Sequence, residues 1–156
     1  MPRLRPPGRP PPDLELTDAE YKALGQFRRA MREFLAFSEQ SARQHGLTSQ
    51  QHQALLAIRS HGGPEAMSIG ELAECLMIRN HTAVELVGRL VERDLVVRRQ
   101  SPDDRRRVLL ELTAGAAATL GAISIGNITQ LAETAEILAE LVRAVRRINV
   151  AHLASD

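Results

Sequence analysis

The stretch from Ser68 to Thr113, SIGELAECLMIRNHTAVELVGRLVERDLVVRRQSPDDRRRVLLELT, changes its periodicity twice, and those changes decide the fold. Ser68 followed by Glu71 is a capping box, in which each side chain accepts a hydrogen bond from the other residue's backbone amide. It opens a short helix that buries Ile69, Leu72, Ala73 and Leu76. A turn through Ile78 to Asn80 leads to a second helix over residues 80–93, with Ala83, Val84, Leu86, Val87 and Leu90 as its apolar face. Leu95, Val96 and Val97 then form a β-prone run ending in Arg98 and Arg99. Residues 100–106 are turn-like around Pro102-Asp103-Asp104, and Val108, Leu109, Leu110 and Leu112 make a second strand. Two helices joined by a tight turn and followed by a hairpin predict a winged helix-turn-helix. The fold class is mainly α with a small β-hairpin (α+β).

Further capping boxes lie upstream. Thr48 with Gln51 opens a helix through Leu55, Leu56 and Ile58 that stops before Gly62-Gly63-Pro64. Thr17 with Glu20 opens a first helix of about 27 residues, with Leu24, Phe27, Met31, Phe34, Leu35 and Ser38 at helical spacing and an end near Gly46. A helix this long needs a partner surface along part of its length. Six of the eight prolines fall in residues 1–16, which read as a flexible arm whose arginines are partly offset by Asp13 and Glu15. From Thr113 onward the chain is helical and rich in Ala and Leu, with breaks expected near Gly126 and around residues 131–134. Gly121 inside this region costs about 1 kcal/mol relative to Ala, unless close helix approach requires it.

Composition narrows the function classes. The 156 residues are 44% hydrophobic but only 3% aromatic, so Leu, Ala, Val and Ile must build the core. Cys75 is the single cysteine, which excludes an intrachain disulfide and suits a cytoplasmic setting. The basic N-terminus lacks the apolar segment of a secretory signal, and no apolar run approaches the ~18 residues of a membrane span. There is no GxSxG turn, HExxH pair or phosphate-binding glycine loop. The five histidines, His45 and His61 beside turns among them, show no metal spacing. No catalytic residue, metal or cofactor is expected.

The net charge of +1 says little about nucleic acid, because DNA binding needs a local basic patch. Residues 98–107 hold one: Arg98, Arg99, Arg105, Arg106 and Arg107 against Asp103 and Asp104, a local +3. Guanidinium forks suit phosphate oxygens and narrow minor grooves. Asp104 is expected to orient Arg106 or an adjacent backbone amide, with Arg106 nearest to DNA. In a helix-turn-helix the second helix enters the major groove while the first, here residues 69–77, braces it. Its leading residues are Arg79, Asn80, His81 and Thr82: Asn can pair with adenine, Thr can touch thymine and Arg can reach guanine. Glu85, one turn on, can accept from cytosine or repel phosphate. A plainer reading makes Asn80 the helix cap and Thr82 a solvated first-turn residue.

The run Ser68-Ile69-Gly70-Glu71-Leu72-Ala73, the segment Leu86-Val87-Gly88-Arg89-Leu90, and Ser101-Pro102-Asp103-Asp104-Arg105-Arg106 followed by Leu112-Thr113 resemble the MarR (multiple antibiotic resistance regulator) family over about residues 18–150. The resemblance implies a homodimer. Residues 17–46 and 114–153 would hold the two copies together, while residues 47–113 of each form a winged domain on pseudopalindromic double-stranded DNA. It also implies a repressor answering to a small aromatic or phenolic effector. For that ligand, Phe27, Met31 and Phe34 of the first helix with His52 and Arg59 of the second are the candidate lining, against simple interhelical packing. Three positions depart from the family pattern: Asp94 and Ala116 where glycine is usual, and Arg79 where a capping Ser is common, which hands the cap to Asn80. Cys75 reads as a partly exposed, incidental thiol, with redox sensing as the other reading. A winged-helix protein-interaction module without useful DNA binding is the competing function, and Glu85 on the reading helix suits it.

Overall fold

The computed structural model describes residues 16–63, 65–102, 104 and 107–153. The proline-rich arm up to residue 15, together with Asp103, Arg105 and Arg106 of the wing, lies outside the described residues. In order the elements are α1 (Asp18–Gln44), α2 (Ser49–Arg59), α3 (Ile69–Cys75), α4 (Asn80–Glu92), β1 (Val96–Gln100), β2 (Val108–Leu112), α5 (Ala114–Glu133) and α6 (Ala135–Leu153). The chain is mostly helical with one antiparallel hairpin, the architecture of a winged helix. It forms two compact units, residues 38–126 and the residues up to Phe37 with those from Asn127 onward.

The 38–126 unit is organised by its caps and one apolar core. Gln51 N–H donates to Thr48 Oγ1 at 3.2 Å and Thr48 N–H to Gln51 Oε1 at 3.0 Å. The same reciprocal pair, Glu71 N–H to Ser68 Oγ and Ser68 N–H to Glu71 Oε2, closes at 3.3 and 2.7 Å. Each box satisfies amides that the first turn of a helix leaves unpaired. Leu55, Leu72, Leu86, Val87, Leu90, Val96, Leu110 and Ile123 are fully buried together. Ile69 and Leu76, expected in the core, are half-buried at its margin. In the hairpin Val96 stands opposite Leu112 and Gln100 opposite Val108, so Gln100 belongs to the strand rather than to the turn. Ser68 bridges to Leu109, and Leu110 N–H donates to Met67 O at 2.8 Å. The entry to α3 is thereby fastened to the wing.

The expected break near Gly126 is absent: α5 runs without interruption to Glu133. A lone glycine keeps its amide and carbonyl, so it weakens a helix by about 1 kcal/mol without ending it. The other expected break is present at Thr134, whose N–H and hydroxyl both donate to Leu131 O, at 3.0 and 2.9 Å. A Cβ built at Gly121 meets nothing within 4 Å, so close approach inside the chain does not require that glycine.

In the other unit the large apolar side chains face outward. Tyr21, Leu24, Met31 and Leu35 of α1, Ile128 and Leu131 of α5, and Leu138, Val142 and Val145 of α6 are exposed, while among the described residues its buried apolar side chains are Ala23 and Ala30. Leu138, Val142 and Val145 recur at i, i+4 and i+7, one stripe of α6.

Candidate nucleic-acid interface

α3 hands over to α4 through a turn in which Met77 takes a left-handed φ of 54° and is 92% exposed. The turn is held by Ile78 N–H donating to Ala73 O at 3.0 Å. A non-glycine residue in this region is strained by about 1–2 kcal/mol, and the sequence reading did not single Met77 out. Arg79 occupies the N-cap of α4 and its side chain makes no capping hydrogen bond; Asn80 is the first helical residue. The cap therefore does not pass to Asn80, whose amide is exposed on the first turn instead.

The buried stripe of α4 is Ala83, Leu86, Val87 and Leu90. Val84, expected on that stripe, is 44% exposed and faces out with Asn80, His81 and Glu85. At 100° per residue, 83, 86, 87 and 90 fall within an arc of about 100°, and 84 lies about 60° beyond its edge, so the surface that buries the four leaves Val84 outside. Arg79 is exposed and Thr82 half-buried.

The far end of α4 is anchored by Arg93, whose guanidinium donates to Gly46 O and Gln51 Oε1, each at 2.8 Å. Asp94 follows with a φ of 54°, so the left-handed turn at the position where the resemblance implies glycine is kept by an aspartate. Thr113 Oγ1 donates to Asp94 O at 2.8 Å and accepts from Ala116 N–H at 3.2 Å. The Leu112-Thr113 pair thus joins the end of the reading helix to the start of α5.

The wing loop closes where Ser101 N–H donates to Arg107 O at 3.0 Å and Arg107 N–H to Asp104 O at 2.9 Å. Asp104 N–H also donates to Ser101 Oγ at 3.4 Å. The expected pairing of Asp104 with Arg106 falls on a residue outside those described. Two wing arginines are engaged within the fold. Arg99 Nε meets Glu111 Oε2 across the hairpin at 2.8 Å, and Arg107 bridges Glu65 at 3.1 Å and Glu71 at 3.4 Å. Arg98 makes no ion pair with a described residue, and its Nη2 lies 3.9 Å from where a Cβ would stand on Gly88 of α4. The Ser68 hydroxyl and then its backbone amide hold the Glu71 carboxyl below its ordinary pKa, with smaller help from His61 and Arg107 against desolvation.

The candidate ligand residues divide between the units. Phe27 and Phe34 are half-buried and Met31 exposed on α1 in the first; His52 and Arg59 belong to α2 in the second. His52 and Arg59 are seven residues apart, about 10 Å along the helix axis. Arg59 is exposed, whereas His52 is only 4% exposed, its Nε2 has no hydrogen-bond partner among the described residues, and burial lowers its pKa. A cleft of about 540 Å³ lies instead at the start of α2, between Thr48, Ser49, Glu39, Arg43 and Arg89. None of the five expected ligand residues lines it. Cys75 is exposed, as its helical position implied. Among the described residues no group of three or more His, Cys, Asp or Glu side chains is placed to hold a metal ion, and no helix is long and apolar enough to cross a membrane.

A braced second helix with an outward polar face, followed by a hairpin fastened to the brace, defines a winged helix-turn-helix protein. Residues 45–107 match the family model described as MarR family. The HTH-type transcriptional repressor NicR of Pseudomonas putida is 38% identical over 96 residues, which cover 62% of this chain and 59% of that protein's length. The structure of a Staphylococcus aureus MepR–DNA complex superimposes with a TM-score of 0.64 at 21% identity, covering 90% of this chain and 98% of that one. That of Bordetella bronchiseptica BpsR, described through the regulation of its DNA binding by 6-hydroxynicotinic acid, does so at 0.57 and 25% identity, over 79% and 89%. Over residues 45–107, its winged-helix part, the chain is similar to the MarR family.

Proposed function

We propose that this chain is a sequence-specific double-stranded DNA-binding regulator of transcription, acting in the cytoplasm as a homodimeric, ligand-responsive repressor and not as an enzyme. The observation that carries this is the outward face of α4, where Asn80, His81 and Glu85 stand exposed in the unit that also carries the wing and Arg98. Arg79, Thr82 and the arginines of residues 98–107 complete the proposed interface, with Arg99 and Arg107 contributing less because acids of the fold already engage them. Residues 47–113 are the proposed DNA-binding part, and 17–46 with 114–153 the proposed dimerisation part. The exposed apolar stripes of α1 and α6 favour the homodimer, because a soluble monomer rarely leaves so much apolar surface to water. NicR, as a repressor, and BpsR, as a protein regulated by an aromatic acid, support the sign of control and the class of effector.

A dimer of this kind meets a pseudopalindrome with half-site centres about 34–36 Å apart, one turn of the double helix. Duplexes selected from a random library by the full-length protein, titrated at several salt concentrations, test the reading. The expected results are a palindromic preference, a steep loss of affinity with salt, and weaker binding by Arg98→Ala. Adding 6-hydroxynicotinic acid is expected to lower the affinity. Binding that ignores salt and enriches no sequence overturns the reading and favours a protein-interaction module.

A further inference from the structure

We propose that Val84 reads the 5-methyl group of a thymine in the major groove, an apolar contact among the polar residues that open the reading helix; this rests on the DNA-binding function proposed above. Ala83, Leu86, Val87 and Leu90 are between 0 and 1% exposed, while Val84 between them is 44% exposed. Folding gives no reason for a valine there. An exposed β-branched residue is a poorer helix former than alanine, and 44% of this one's surface is left to water. Its place does give a reason. It stands four residues after Asn80, three after His81 and one before Glu85, so it shares their face, one turn inside the helix.

Its neighbours supply an amide, an imidazole and a carboxylate, which recognise hydrogen-bonding base edges. Val84 has neither donor nor acceptor. A base edge pressed against it loses its hydrogen bond to water without replacement, which disfavours the adenine and cytosine amino groups and the guanine carbonyl. Thymine alone of the four bases presents a methyl group in the major groove, and two methyl-bearing surfaces gain by excluding water.

Deoxyuridine lacks only that methyl, so it isolates the contact. Each thymine of a duplex selected by the full-length protein is replaced singly by deoxyuridine, and affinity is measured for the wild type and for Val84→Ala. One position per half-site is expected to weaken wild-type binding about three- to five-fold, the value of one buried methyl. Val84→Ala is expected to bind the thymine duplex weaker by a similar factor and to be indifferent to deoxyuridine at that position. The exposed site and the better helix propensity of Ala keep the variant folded, which a thermal melt checks. If duplexes are selected but no deoxyuridine weakens the wild type, or Val84→Ala keeps full sensitivity, the assignment is wrong and the DNA-binding reading survives. If no duplex is selected, both fall together.

Discussion

The unit of residues 38–126 and the unit of residues 16–37 and 127–153 use the same side chains in opposite ways. In the first, leucines and valines from four helices and both strands close on one another with nothing of them left to solvent. In the second, Leu24, Leu35, Leu138, Val142 and Val145 stand in water, and among the described residues its buried apolar side chains are the small Ala23 and Ala30. The first is therefore stabilised by its own core. The second carries apolar stripes at helical spacing that gain nothing in a single chain, which is the physical argument for a second copy.

The largest effect that tests this contrast belongs to the closed core. Leu90→Ala deletes three heavy atoms from a fully buried site and is expected to cost about 2–5 kcal/mol. Denaturant unfolding followed by circular dichroism measures it. A loss under 1 kcal/mol would mean that the core around α4 is loosely packed, and the contrast would weaken.

The second effect appears only on dilution. Leu138→Glu puts a charge on the α6 stripe and is expected to cost about 2 kcal/mol of association, a ~30-fold rise in dimer dissociation constant. Sedimentation velocity across a dilution series reads it. An unchanged oligomeric state would show that this stripe is not where two copies meet.

How far these features were legible in the sequence depends on how local their causes are. Capping boxes at Thr48 and Ser68 and the β-prone runs at 95–99 and 108–112 depend on neighbours within four residues, and they mark the elements to within a residue or so. The break at Thr134 was readable, but the one expected at Gly126 confused a weakening residue with a terminating one. Val84 needed the actual direction of the core, because Ala83, Leu86, Val87 and Leu90 make a stripe without it and Val84 lies beyond their edge. The wing is the clearest case of non-local chemistry. Its +3 is a sum along the chain, whereas Glu65, Glu71 and Glu111 arrive from elsewhere to engage Arg107 and Arg99.

A smaller effect distinguishes the cap from the core. Ser68→Ala is expected to cost about 1 kcal/mol, since it leaves the Glu71 amide without its acceptor. Glu71→Gln tests the same box through pH. The folded carboxyl has a lowered pKa, so its contribution is fully present above its ordinary pKa of 4.5 and is lost as pH falls through the folded value. The variant's acid unfolding is expected to be flatter below pH 4.5 than that of the wild type. Parallel acid limbs would place the stabilisation elsewhere.

The smallest effect concerns His52, a polar side chain inside the closed unit with no partner for its Nε2 among the described residues. Burial keeps the folded imidazole neutral below its ordinary 6.5, whereas the unfolded chain takes up a proton there. Unfolding is therefore favoured as pH falls through 6.5 toward the folded pKa, and stability is regained on raising it. His52→Leu removes both the titration and the unpartnered nitrogen while retaining apolar bulk. Its stability at pH 8 is expected to equal or exceed the wild type's, and its decline between pH 7 and 5 to be shallower. Equal slopes would mean that the imidazole reaches a proton acceptor or water in the folded protein. The 38–126 unit would then be less closed at α2 than at α4.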